Sequence, residues 1–366
     1  MKADTGSLSL PETLVSDQWP TALAPMQDVT NLPYMKVVAR RGAPDYYFTE
    51  YFRVHAHSRL DPEILRSITE NPTDRPVFAQ LIGENPRDLS RTVAELEKHP
   101  IAGIDLNMGC PAPKVYRKNV GGGLLRDPQA VDRTLGALRE SISSRLTVKM
   151  RIGFEDDRNF DDILALIEKH KVELLSLHVR TVRGGYRSAP DYRYATSAVR
   201  RLSCPVLVNG DVTSAAKAHQ VVQETGSFGV MIGRSAIRNP WIFLQVRQLQ
   251  SGKKPFRPLL HDVFSYVEDL YREMANSSIA EDKQVARMKK FLNFVGLGVD
   301  PQGQFLHEMR RTTSKSDLFA VCSRFMLEES RRSIPYPDEP FPGLFARPNQ
   351  EGRARDDSSV VQACAA

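Results

Sequence analysis

From about residue 20 to about residue 245, short apolar runs alternate with amphipathic stretches at a nearly even spacing, and few folds can absorb that pattern. The apolar runs are Thr21–Met26, Tyr46–Glu50, Val77–Leu81, Gly103–Asn107, Leu146–Arg151, Leu174–His178, Val206–Gly210 and Gly229–Gly233. Helical periodicity occupies the intervals over Asp88–Lys98, Pro128–Ser141, Asp161–Lys169, Tyr194–Arg201 and Ser214–Glu224. Several of these begin behind a capping residue: Asn85 before Pro86, Asp127 before Pro128, Thr213 before Ser214. Near-continuous apolar strands alternating with helices require a parallel sheet covered on its outer side. Eight such units in roughly 225 residues fit a closed (β/α)8 TIM barrel better than an open doubly wound sheet. Alternation alone leaves the open sheet standing.

After Trp241 the pattern changes. Leu259–Ala275, Glu281–Val295 and Ser316–Glu329 have helical spacing with no strand between them. They predict a small all-helical domain over residues 255–335, following a barrel over 19–245 and joined to it through Gln250–Pro255. Residues 1–18 and 336–366 carry no such pattern and are expected to be a flexible leading segment and a disordered tail.

Composition narrows the function classes. No apolar stretch is long enough to cross a bilayer, and Met1–Ser7 leads into no secretory core. The four cysteines (Cys110, Cys204, Cys322, Cys364) form no close pair, which argues against a disulfide framework and against a zinc or iron–sulfur site. A cytoplasmic protein without a metal is expected. The net charge of +6 hints at an acidic partner, and residues 245–335 hold 15 Lys/Arg against 11 Asp/Glu. A surplus of that size is also what an ordinary solvated surface carries.

In a barrel, chemistry collects at the carboxyl ends of the strands. Here those ends carry Ala24-Pro25-Met26, Gln80, Asn107, Lys149 with Arg151, His178 with Arg180, Asn209-Gly210-Asp211 and Gly233-Arg234. Any one alone would be an unremarked rim charge, structural histidine or turn glycine. Seven together are costly to bury without a purpose. Backbone N–H groups of Gly210-Asp211 and Gly233-Arg234, the Arg234 charge and the helix expected after it would converge on a phosphate. Lys149 could stabilise negative charge on a reduced flavin ring, and Gln80 and Asn107 offer amide groups to a ring's polar edge. No glycine fingerprint for a tightly held dinucleotide follows any strand. Past Asn107, the run Met108-Gly109-Cys110-Pro111-Ala112-Pro113-Lys114 sets a thiol on a proline-stiffened loop, with Arg117, Lys118 and Gly121-Gly122-Gly123 behind it. A free cysteine often only packs. Beside a cationic loop at a strand end, it also suits proton or nucleophile chemistry on a polyanion.

Taken in order, these motifs resemble the tRNA-dihydrouridine synthase family. The matching segments are Ala24-Pro25-Met26 with Asp28-Val29-Thr30, Gln80-Leu81, Asn107–Pro111 and Gly122–Pro128. Lys149–Gly153, His178–Thr181, Asn209–Asp211 and Gly233-Arg234 complete the set. The resemblance implies an FMN-binding barrel, a helical tRNA-binding domain, and reduction of selected tRNA uridines to 5,6-dihydrouridine, with NADPH or NADH recharging the flavin. It implies hydride transfer to C6 and a proton from Cys110 to C5. Ala24, Pro25, Met26, Gln80, Lys149, His178, Asn209, Gly210, Asp211, Gly233 and Arg234 would hold the cofactor. Asn107 and Tyr186 would meet the base, with Lys114, Arg117, Lys118, Arg151 and Arg180 also facing the substrate. In the helical domain, Arg287, Lys289, Lys290, Arg310 and Arg311 are expected to meet phosphates. The chain departs from the family at Pro190-Asp191-Tyr192, where relatives often carry an alanine-aspartate-tryptophan, and its leading and trailing segments have no family counterpart. A monomer is expected, and the target uridine is left open. The rival readings are a barrel flavoenzyme acting on a free pyrimidine and a non-catalytic RNA-binding protein.

Overall fold

A computed structural model describes residues 9–346. Its strands are β1 (Thr21–Leu23), β2 (Tyr46–Phe48), β3 (Phe52–Arg53), β4 (Val77–Ile82), β5 (Gly103–Met108), β6 (Arg145–Arg151), β7 (Leu174–His178), β8 (Val206–Asn209) and β9 (Gly229–Ile232). They pair in parallel, in the order β2-β1-β9-β8-β7-β6-β5-β4-β3, and a further β2–β4 pairing closes the sheet. Closure decides for the barrel over the open sheet. The eight expected strands form the ring. The two-residue β3 was not anticipated; it continues the side of β4 that β2 begins, pairing Phe52 with Leu81.

Side chains alternate along each strand, so one residue in two points into the barrel. At the amino end these are Ala22, Tyr46, Phe48, Phe78, Leu174, Leu207 and Met231, one buried apolar cluster. The rings of Phe48 and Phe78 stack at 4.9 Å, and Tyr46 meets Phe78 edge-on at 6.0 Å. One and two steps further along the strands the inward residues become Gln80, Asp105, Asn107, Thr147, Lys149, Ser176, His178 and Asn209. The barrel is therefore oily below and polar above.

Outer helices begin where the sequence places caps. Asn85 and Asp127 accept hydrogen bonds from the backbone N–H groups two and three residues on, with Pro86 and Pro128 at the first helical position. Asp61-Pro62 repeats the device before Pro62–Thr69. At the seventh unit, after β8, the cap is Ser214 rather than Thr213, its side chain accepting from Lys217 N.

The chain divides into two compact units. The first comprises Met1–Gly185, Pro190–Ala236 and Pro240–Phe256, and the second Tyr186–Ala189, Ile237–Asn239 and Arg257–Ala366. The helix Ile242–Gln250 belongs to the first unit. Helices Leu260–Met274, Glu281–Val295, Gln304–Met309 and Lys315–Met326 build the second around Val263, Leu292, Phe305 and Leu318. Residues 336–346, expected within a disordered tail, are anchored at both ends, where Tyr336 and Ala346 are buried. Tyr336 is buried and donates from Oη to Val295 O at 2.6 Å, its ring lying where Gly298 has no side chain. Arg238 donates to Pro337 O at 2.8 Å. Of the expected leading segment, residues 9–18 are also tied down: Leu10 packs on the apolar barrel cluster and Pro11 O accepts from Tyr46 Oη at 2.8 Å. Residues 1–8 and 347–366, with the rest of both terminal expectations, lie outside the described residues. Among the described residues, no helix is long and apolar enough to cross a membrane.

Candidate active site

At the carboxyl ends of β4, β5 and β6 the polar side chains form one directed chain of hydrogen bonds. Asp105 is fully buried and accepts from Thr147 Oγ1 at 2.6 Å and from Gln80 Nε2 at 2.7 Å. Gln80 Oε1 accepts from Asn107 Nδ2 at 2.8 Å. Asn107 Oδ1 then accepts the backbone N–H groups of Gly109 at 3.1 Å and Cys110 at 3.0 Å. A carboxylate can only accept, so Asp105 fixes which way the Gln80 amide points, and Gln80 in turn fixes Asn107. Burial raises the Asp105 pKa to about 6, against hydrogen bonds from Thr147 and Gln80 that favour its charge.

Cys110 follows the carboxyl end of β5 and packs against Tyr51, Ile82 and Val115. The thiol lies within electrostatic reach of both Lys149 and Tyr51. Behind it, Gly121 has φ +58° and a Cβ there would lie 3.0 Å from Cys110 Cβ, so this approach requires glycine. Lys114 is exposed on the short helical turn that follows, Pro113–Tyr116, and Arg117 and Lys118 are exposed just after it.

Arg151 is 1% exposed, among the largest fully buried side chains. It does not stand free at the mouth as a substrate contact would. Its guanidinium donates to Gly109 O at 3.1 Å, Thr181 O at 2.9 Å and Gly185 O at 3.0 Å, which ties the Cys110 loop to the loop after β7. Arg180 is also buried, paired with Asp211, and Asp211 holds Arg234 at 3.1 Å as well. Lys149 Nζ donates to Asn209 Oδ1 at 3.4 Å, while burial and the nearby Arg151 pull its pKa down to about 8. His178 is held far below the usual imidazole range by burial, then by Arg151, Lys149, Arg180 and Arg234. Its Nε2 faces Arg180 Nη1 at 3.4 Å. A guanidinium offers no lone pair, so the ring accepts there and carries its proton on Nδ1.

Gly210 and Asp211 both have positive φ (137° and 44°), and Gly233 sits 3.4 Å, at Cβ distance, from Ala24 and Met26. Glu50, missed from the sequence, fixes that neighbourhood: it is buried and accepts from Asp28 N at 3.0 Å and Val29 N at 3.1 Å. Burial lifts its pKa to about 7. The helix after β9, Arg234–Arg238, is only five residues long, so an anion here would rely on backbone N–H groups and Arg234 rather than on a helix terminus. Tyr186 is 50% exposed and groups with the second unit. There, Lys289 donates to Arg310 O and Thr312 O, and Arg310 to Asn293 Oδ1 and Phe345 O, so these two cations brace helices. Arg287, Lys290 and Arg311 are exposed.

Asp105, Thr147, Glu50 and Tyr51 are thus the site's unread members. The acid inside the apolar run Ile104-Asp105-Leu106 was the one clear signal for them.

A family model described as "Dihydrouridine synthase (Dus)" matches residues 22–329. The "Probable tRNA-dihydrouridine synthase" of Rhodobacter capsulatus is 31% identical over 69% of this chain and 78% of its own. "tRNA-dihydrouridine synthase B" of Pasteurella multocida is 30% identical over 83% of this chain and 92% of its own. The protein of that name from Pseudomonas aeruginosa is 31% identical over 69% and 75%.

Proposed function

The chain belongs to the dihydrouridine synthase family, and we propose that it reduces particular uridines of tRNA to 5,6-dihydrouridine with a bound flavin, FMN, recharged by NADPH or NADH. The residues present suit that group. Burial, helped by four nearby cations, keeps the His178 ring neutral, and Ser176 Oγ, in register with Lys149, is buried with no hydrogen-bond partner among the described residues. A phosphate and an electron-rich ring would answer both. Ala24, Pro25, Met26, Lys149, His178, Asn209, Gly210, Asp211, Gly233 and Arg234 would hold it; Gln80 supports from beneath.

A flavin held by these residues would supply the hydride that adds to C6 of the uracil. Charge then builds toward C5 and the C4 carbonyl. Cys110 Sγ–H gives its proton to C5, and the thiolate left behind is reprotonated from solvent. Lys149, as the ammonium, stabilises negative charge at the mouth. Asn107 keeps one N–H beyond its bond to Gln80, which can meet a uracil carbonyl. Lys114, Arg117 and Lys118 would hold phosphates, while Arg151 and Arg180 act by holding loops and Asp211. The observation that carries this reading is the relay from Asp105 to the Cys110 backbone, which fixes a thiol above a cationic barrel mouth.

The test uses flavin-loaded protein, unmodified tRNA and NADPH, with dihydrouridine mapped by mass spectrometry. The parent should form it at defined positions. Cys110→Ala should keep the flavin absorbance and lose about 10²–10⁴-fold in turnover. Reduction of free uracil or orotate with tRNA untouched would overturn the substrate assignment.

A further inference from the structure

Outside the site already described, the loop from β3 to the helix Pro62–Thr69 encloses an open cleft of about 390 Å³. Arg53, His55, His57 and Arg59 line it and all four are exposed. The loop that carries them is braced. Arg91 donates to Ala56 O at 2.7 Å and His55 O at 2.8 Å, and Ser58 Oγ closes a turn on His55 N at 3.0 Å.

The charge in this cleft is poorly compensated. Among the described residues, no carboxylate forms an ion pair with Arg53 or Arg59, whereas Arg91, Arg158 and Arg193 each have one and Arg66 has two. Asp61 also lines the cleft, its Oδ1 accepting from the backbone N–H groups of Glu63 and Ile64, so one carboxylate stands against two guanidiniums and a net positive charge remains. Arg53 lies over the Tyr51 ring at 5.7 Å and donates to its hydroxyl at 3.3 Å. Tyr51 is shared: it lines the cleft and also packs in the patch that holds Cys110. The cationic cleft therefore starts one side chain away from the thiol.

We infer that this cleft receives a backbone phosphodiester of the RNA strand that carries the target uridine, next to the reacting nucleotide. The inference rests on the proposed function. Two guanidinium forks suit phosphate oxygens, and an arginine on a tyrosine face is a surface on which a neighbouring base can stack. An open cleft admits a continuous strand, which passes through it and does not end there.

The experiment compares the parent with the double variant Arg53→Gln/Arg59→Gln, titrating unmodified tRNA across a salt series by fluorescence anisotropy. Affinity near physiological salt should fall at least tenfold. The slope of log affinity against log salt should shrink by roughly 0.7–0.9 for each phosphate that the variant no longer neutralises. Arg53→Lys/Arg59→Lys, which keeps the charge, should retain most of the parent's slope. An unchanged slope in the Gln variant would overturn the cleft alone. So would unchanged tRNA affinity with slower reduction of the flavin by NADPH, since the cleft would then serve the dinucleotide. A parent that binds no tRNA would overturn the proposed function, and the cleft with it.

Discussion

Asn107→Asp replaces one nitrogen by oxygen, yet the relay cannot accommodate it. Asn107 Nδ2 donates to Gln80 Oε1 at 2.8 Å, and an ionised carboxylate there would set oxygen against oxygen. Turning the Gln80 amide over offers no relief, because its Nε2 is committed to the acceptor-only Asp105 at 2.7 Å. The remaining escape is for the introduced carboxyl to keep its proton and donate it. An unmade buried bond costs about 1–3 kcal/mol. At about 2–4 °C per kcal/mol for a domain of this size, the melting midpoint should fall by about 2–12 °C at neutral pH. The sign of the pH dependence follows. The introduced acid has a higher pKa folded than unfolded (about 3.9), so its stability is full at low pH and lost as pH rises between those two values. Asp105, with a pKa of about 6, loosens the same constraint on acidification. The deficit relative to the parent should thus be small near pH 4 and widest at pH 7–8, read by calorimetry across that range. If the same energy appears at Cys110, turnover drops about 5- to 150-fold. A midpoint difference that stays flat within a degree from pH 4 to 8 would refute the directed relay.

Two further outcomes follow from the mouth. Lys149, whose pKa is drawn down to about 8, loses its proton earlier than an ordinary lysine. Turnover should decline on the alkaline side with a midpoint near 8, and Lys149→Arg should remove that limb; an identical profile in the variant would place the titration elsewhere. Arg151→Lys keeps the charge but cannot span three carbonyls, so about 2–4 kcal/mol of stability should be lost. Alkylation of Cys110 by iodoacetamide should then quicken, and an unchanged rate would deny Arg151 its hold on that loop.

The barrel was legible because strand alternation and Asn85- or Asp127-type caps are local signals that burial only reinforces. The polar strand ends were legible too. What each does was less so, because a sequence shows charge but not where it goes. Arg151 and Arg180 read as substrate contacts and are buried supports; Lys289 and Arg310 read as phosphate contacts and cap carbonyls. The brief β3 lacks the length for any periodicity, and Tyr336 sits in a proline-rich stretch whose order comes from a groove opened by the distant Gly298.

The three carbonyls gathered by Arg151 come from two separate crossings of the chain, so those loops behave as a single stiff lever. Through that one guanidinium, a displacement imposed at Thr181–Gly185 has a direct path to Gly109, one residue before the thiol. Substitutions near that remote end can therefore mistune proton delivery without touching the sulfur.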